Sequence, residues 1–209
     1  MLLRRTFLIG LASILFSTQG CTSDNSELDL MEGVEYKRIA EPQTIAPHSK
    51  KVVAVFGYTC PHCYNLEPSL HKWLENKPKN VHYEAMPAVF DNPNWQIMAR
   101  VFYTAKTLGV LDKSHSEFFH ALHRDNVPFT GIEDIAKYFT KFGVTEKQFL
   151  NTYKGFKVDQ EVRRAQKLTQ AYGIHGVPAV IVNGKYLTDV PMAGSRENLW
   201  KVVNELSTK

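Results

Sequence analysis

Cysteine is scarce in this chain of 209 residues: only positions 21, 60 and 63 carry it. Three cysteines, two of them nearly adjacent, cannot build the multi-bridge framework of a small disulfide-rich scaffold. Absence of a second close pair also counts against a structural zinc site, which normally needs four ligands, even with His62, His71 or His82 as further donors. Long hydrophobic runs are missing too, since the best, Phe7 to Phe16, is too short to span a bilayer comfortably. Charge of one sign is not concentrated: 25 Lys and Arg face 21 Asp and Glu, for a formal charge of +4. So small and scattered an excess gives no basis for nucleic-acid binding or for a charge-driven membrane role. The chain shows no internal repeat and no low-complexity tract.

What is present begins with Arg4 and Arg5, the apolar run, and then Thr18-Gln19-Gly20-Cys21 leading into a polar stretch. This is the layout of a secretory signal over residues 1–20, which places the working protein outside the cytoplasm. A buried N-terminal helix fits less well, because the run ends in polar residues. Arg4-Arg5-Thr6-Phe7-Leu8 loosely matches a twin-arginine signal, but general secretion is the default. Removing residues 1–20 takes away two arginines and no acids, lowering the formal charge to +2. Cys21 after Gly20 is a candidate lipid-anchor site at the mature N-terminus, although Thr18 stands where such motifs usually carry a large aliphatic residue. Ordinary cleavage nearby is the alternative. A polar linker then runs over residues 21–34, and the remainder suits one domain or one domain with an insertion.

Glu35 to Ile39 reads as a short strand. Lys51 to Phe56 is a nearly continuous apolar run rich in β-branched residues, the pattern of a central strand covered on both faces. From Pro61 the spacing becomes helical, with Leu66, Leu70, Trp73 and Leu74 on one face. Val81, Tyr83 and Ala85 alternate with polar residues as a second strand. From about Asn92 to Tyr172 only helix signatures follow, about five of them, one carrying Met98, Val101, Phe102, Ala105 and Leu108. Capping boxes are predicted at Ser114 with Glu117, Thr130 with Glu133 and Thr145 with Gln148, and a helix end at Gly173. Ala179 to Val182, Asn183-Gly184 and Lys185 to Thr188 read as a hairpin, followed by a closing helix capped by Ser195. The expected order is βαβ, helices, ββα.

Cys60-Pro61-His62-Cys63 ends an apolar strand and opens a helix, the context that makes a C-x-x-C pattern a redox motif. At a helix N-terminus, unpaired N–H groups and the dipole stabilise a thiolate, so Cys60 is the exposed attacking sulfur and Cys63 the resolving one. A purely structural bridge across so small a loop would remove little unfolded-chain entropy. A second element, Gly176-Val177-Pro178-Ala179, puts proline just before a buried strand. The residues alone leave two readings: a rigid loop terminator, or a cis bond exposing the Val177 backbone to an extended substrate.

Phe56 through Glu67, the helical segment, and Gly176-Val177-Pro178 through Tyr186 together resemble the DsbA family of bacterial periplasmic oxidoreductases, from about Glu35 to the C-terminus. The resemblance implies an α/β thioredoxin fold with an inserted helical subdomain, divided as residues 35–91 and 174–209 for the thioredoxin-like domain and 92–173 for the insertion. It implies a cis Pro178, no cofactor, catalytic Cys60, Pro61, His62 and Cys63, and substrate binding at Val177 and Pro178. His62 would favour the Cys60 thiolate, and Glu67 would assist proton movement at the buried thiol. A second acid common in the family is Ala54 here, which puts a two-carboxylate relay in doubt. The implied partners are unfolded exported proteins and a membrane reoxidant of the DsbB type, in the periplasm. Two other readings stand beside this one: a reductase or isomerase on the same fold, and a non-catalytic peptide-binding chaperone.

Overall fold

The computed structural model describes residues 28–44, 46 and 49–209; residues 1–20, read above as a secretory signal, and Cys21 lie outside the described residues. Five strands form one sheet: β1 (Lys37–Arg38), β2 (Lys50–Phe56), β3 (Val81–Pro87), β4 (Ala179–Val182) and β5 (Tyr186–Thr188), in the order β1-β5-β4-β2-β3. β2 and β3 are parallel, and the remaining pairs are antiparallel. The helix between β2 and β3 is α1 (Pro61–Asn76). Between β3 and β4 lie α2 (Pro93–Thr107), α3 (Leu111–His123), α4 (Ile132–Phe139), α5 (Glu146–Tyr153) and α6 (Phe156–Ala171), with a short 3₁₀ turn after α4. Two helices close the chain, α7 (Val190–Ala193) and α8 (Arg196–Leu206).

β2 is apolar because both its faces are covered. Successive side chains of a strand point to opposite faces. Val52 accordingly packs with Leu66, Leu70, Leu199 and Val203 beneath α1 and α8, while Val53 and Val55 belong to the core shared with the inserted helices, which Phe56 at the strand's end also joins through Phe102 and Phe119. Trp73 and Trp200 stack at 4.9 Å, joining α1 to α8. Each indole N–H also finds an acceptor on the other helix, Trp73 on Asn204 at 2.9 Å and Trp200 on Ser69 at 3.1 Å. α1 is thereby fixed along its length, and with it the sulfurs at its first turn.

Helix ends repay comparison with the sequence. Thr145 forms its capping box, its hydroxyl accepting from the Gln148 N–H at 3.1 Å and Gln148 accepting in return from the Thr145 N–H at 2.8 Å. The other two boxes are not there. Ser114 is buried within α3, which starts three residues earlier, and its hydroxyl donates weakly to the Leu111 carbonyl at 3.4 Å. A hydroxyl and an acid three apart also fall on one face in mid-helix, and burial of the apolar stripe extended the helix past that pair. At α4 the cap is Gly131; the N–H and hydroxyl of Thr130 both donate to Asp134, at 2.9 and 2.6 Å, one residue beyond the expected Glu133. Gly173, at φ 63°, ends α6, and the Ser195 hydroxyl caps α8 by accepting from the Asn198 N–H at 3.0 Å.

Asn183 and Gly184 turn the β4–β5 hairpin with φ of 54° and 65°, and the Lys185 N–H donates to the Val182 carbonyl at 3.0 Å. A Cβ on Gly184 would stand 2.4 Å from the Gln43 carbonyl oxygen. Gly184→Ala therefore combines a left-handed backbone with a clash, and we expect it to destabilise the protein by about 1–3 kcal/mol in urea unfolding.

Candidate active site

The carboxyl end of β2 runs through Gly57-Tyr58-Thr59 to Cys60, the N-cap of α1. Cys60 has extended backbone angles, and its Sγ accepts from the Cys63 N–H at 3.4 Å, taking one of the donors that a helix start leaves open. Pro61 occupies the first helical position, where a missing N–H costs nothing. The sulfurs differ in exposure: Cys60 is half-buried and Cys63 buried.

That difference separates their acidities. The Cys60 thiol is lowered from an ordinary value of 9.0 to about 6, mainly because the Cys63 thiol donates a hydrogen bond to it. Burial opposes this, while the N–H groups of Cys63 and His62 and the nearby His62 ring assist it. Burial pushes Cys63 strongly the other way, and the Cys60 side chain adds to that effect. One sulfur is thus a ready thiolate near neutral pH and the other holds its proton.

Val177 and Pro178 meet the sulfur from the far side of the sequence. The Val177–Pro178 peptide bond is cis, and the Cys60 thiol donates to the Val177 carbonyl at 3.4 Å across 117 residues of chain. Beside them opens a groove of about 1090 Å³, bounded by Ile39, His62, Ile174, Val177, Pro178 and Met192 among others. It has the size and partly apolar lining of a site for an extended peptide segment.

The inserted helices hold the loop before Cys60. A Cβ on Gly57 would stand 2.2 Å from the Trp95 ring, so the indole of α2 lies directly on the backbone there. From α3, the His123 ring donates to the Tyr58 carbonyl at 2.7 Å and stacks on Tyr64 at 5.1 Å. The Tyr58 hydroxyl lies 2.8 Å from Nδ1 of His115. Burial lowers His115 to about 4 and raises Tyr58, which leaves a neutral imidazole hydrogen-bonded to a neutral phenol. Tyr58, His115 and His123 were not anticipated from sequence. The signal available was the Phe118-Phe119 pair, which marks α3 as a core helix and so places its neighbouring histidines against the protein.

Glu67 sits one turn beyond Cys63, its side chain 13% exposed and its Oε2 buried with no hydrogen-bond partner. His71 Nε2 approaches that oxygen to 3.4 Å. Burial raises the Glu67 carboxyl, and His71 and Ser116 offset part of the rise. Ala54, in the place of a second acid, is buried on β2 between Ala85 and Val180. His62 is exposed at the groove, His71 faces Ser116 at 3.1 Å, and His82 is exposed on β3; among the described residues no three His, Cys, Asp or Glu side chains gather as a metal site.

A mixed five-stranded sheet that delivers Cys-Pro-His-Cys to the start of a helix, with a cis-proline edge at the outer sulfur, defines a thiol:disulfide oxidoreductase of the thioredoxin fold. Comparison with known proteins narrows the class. Residues 51–199 match the model of the DSBA-like thioredoxin domain. The thiol:disulfide interchange protein DsbA of Pseudomonas aeruginosa is 35% identical over 182 residues, covering 87% of this chain and 86% of its own. That of Azotobacter vinelandii is 36% identical, covering 87% and 85%. The crystal structure of Pseudomonas aeruginosa DsbA superposes with a TM-score of 0.79 at 34% identity, over 86% of this chain and 94% of that one. A Proteus mirabilis DsbA, solved with a non-covalently bound peptide, gives 0.71 at 27% identity, over 87% and 100%. The chain belongs to the DsbA-like thioredoxin family, and it is a protein disulfide oxidoreductase.

Two outcomes follow for the reduced protein. Alkylation of Cys60 against pH should show a midpoint near 6, and Cys63→Ala, which deletes the largest stabilising contact, should move it upward. A folded-state value below the unfolded one adds stability as pH rises and loses it as pH falls through the folded value. Reduced protein should therefore gain stability relative to the disulfide form between about pH 6 and 9, measured by urea unfolding of both forms.

Proposed function

We propose that this chain donates a Cys60–Cys63 disulfide to other exported proteins as they fold. The observation that carries the direction is the stabilised Cys60 thiolate. Whatever favours the reduced form of the enzyme makes its disulfide the stronger oxidant. A client thiolate attacks Cys60 Sγ, the half-exposed sulfur, and Cys63 leaves, taking up a proton inside the protein. A second client thiolate then attacks the client sulfur of the mixed disulfide, forming the client disulfide and expelling Cys60 as its low-pKa thiolate.

Each neighbour has a part in this sequence. Pro61 starts the helix without an N–H, and His62 lends its charge to the Cys60 anion. Val177 and Pro178 offer a backbone edge to an extended client beside the reacting sulfur, in the manner of strand addition. The groove that continues from them suits the client residues on one side of the cysteine. The peptide held by the Proteus mirabilis relative supports the same use of the fold. Glu67 exchanges the proton of Cys63.

Return of the enzyme to its disulfide form requires an oxidant, which we assign to a DsbB-type membrane protein that passes the electrons onward. The signal layout of residues 1–20 supports a periplasmic location, with Cys21 as a candidate lipid anchor; no described helix is long and apolar enough to cross a membrane. Labelling with a radioactive fatty acid, compared between the native chain and Cys21→Ala, tests the anchor.

Equilibration of the Cys60/Cys63 pair with a glutathione buffer, followed by thiol trapping, tests the direction. A potential well above that of thioredoxin, with loss of client oxidation in Cys60→Ala, is the expected result. A potential near thioredoxin's would instead make the protein a reductase or isomerase. Client folding that survives Cys60→Ala would make it a chaperone.

A further inference from the structure

Cys63 must lose its proton when the enzyme resolves a mixed disulfide, and the surroundings of that thiol contain few groups able to accept it. Beyond Cys60, the ionisable group that acts on Cys63 is Glu67 on α1; Tyr58 from the loop, Tyr83 from β3 and His71 on α1 act in turn on Glu67, and His115 from α3 acts on His71. Tyr58 and Tyr83 are held protonated by burial, and His115 is held neutral down to about pH 4. Ala54 leaves the adjacent strand without a carboxylate. Glu67 is therefore the remaining carboxylate of this set, and His71 is the remaining group able to stand beside it as a cation.

The geometry ties these two together. Glu67 Oε2 is buried and lacks a hydrogen-bond partner, and His71 Nε2 stands 3.4 Å from it. The same nitrogen lies 3.1 Å from the hydroxyl of Ser116 on α3, which fixes the ring against the carboxylate. His71 is itself half exposed, so its ring joins the buried carboxylate to the protein surface. Residues four apart on a helix share a face, so α1 presents both side chains to α3.

We propose that His71 is a positioning residue for the Cys63 half of the reaction, its charged ring holding the buried Glu67 as a carboxylate that can take the Cys63 proton. Resting on the functional reading above, the step balances as follows. With Cys60 in a mixed disulfide to a thiol R, the Cys63 proton passes to Glu67 and the Cys63 thiolate attacks Cys60 Sγ. The Cys60–Cys63 bond forms, the bond from Cys60 to R breaks, and R leaves as its thiolate. Glu67 then returns the proton to solvent past His71. When a client attacks instead, Glu67 takes a proton from solvent past His71 and passes it to the released Cys63 thiolate.

Stopped-flow reaction of the reduced protein with an aromatic disulfide that liberates a coloured thiolate separates the two halves. The first release reports attack by Cys60, and the second, independent of reagent concentration, reports resolution by Cys63. In His71→Gln the pH midpoint of the second phase should rise by about 1 unit, the low end for loss of an opposite charge within about 4–6 Å. The first phase should keep its native midpoint. On a Glu67→Gln background the histidine substitution should move nothing, because the group it acts through is gone. An unshifted second phase in His71→Gln, or a shift that persists without Glu67, would overturn the proposal. Absence of any second phase in the native protein would instead overturn the assignment of Cys63 as the resolving thiol.

Discussion

One contact organises this protein's chemistry: the Cys60 sulfur accepts from the Cys63 N–H at 3.4 Å and is favoured as an anion by the Cys63 side chain beside it. It forms only if two cysteines, three apart, sit at the first turn of a helix with one sulfur outward and one inward. That arrangement in turn requires α1 to be held at both ends. The Trp73–Trp200 stack and its two crossed indole hydrogen bonds fix the distal part against α8. Pairing of β2 with β3 and β4 fixes the strand that feeds the loop. Asymmetry between two chemically identical groups is thus a product of the sheet and the helix together.

Much of this was legible in the sequence because local rules and the global fold agreed. The apolar run of β2, the Cys-Pro-His-Cys step into a helix, the Asn183-Gly184 turn, the helix stop at Gly173 and the helix start at Ser195 each have short-range causes. The capping box at Ser114 misled because a three-residue spacing does not say whether it lies before a helix or within one, and that at Thr130 because Gly131 takes the cap and Asp134, one residue on, meets the threonine. α7 has four residues and no periodicity to detect. Pro68, inside α1, is a residue that propensity would use to end a helix; the packing of Leu66, Leu70 and Trp73 carries the helix through it.

The site divides in the same way. Cys60, Pro61, His62, Cys63 and Glu67 fall within eight consecutive residues and could be read together. The residues themselves left Val177 and Pro178 open between two conformations, and their approach to Cys60 came only by family resemblance. Tyr58, His115 and His123 escaped notice since nothing in one dimension pairs residues of a loop with a helix some sixty positions away. Their contacts are consequences of docking, and docking is what a single sequence expresses least directly.

The inserted helices are more than an accessory to a thioredoxin unit. Trp95 lies on Gly57, His115 engages the Tyr58 side chain, and His123 engages the Tyr58 carbonyl, so three side chains of the insertion grip two residues of the loop that presents Cys60. Without the segment between β3 and β4, β2 would lose the layer that covers one of its faces and the reactive loop the surface that shapes it. The smallest working unit of this enzyme is therefore the sheet and the helical layer taken together, and neither part is a module that could be exchanged alone.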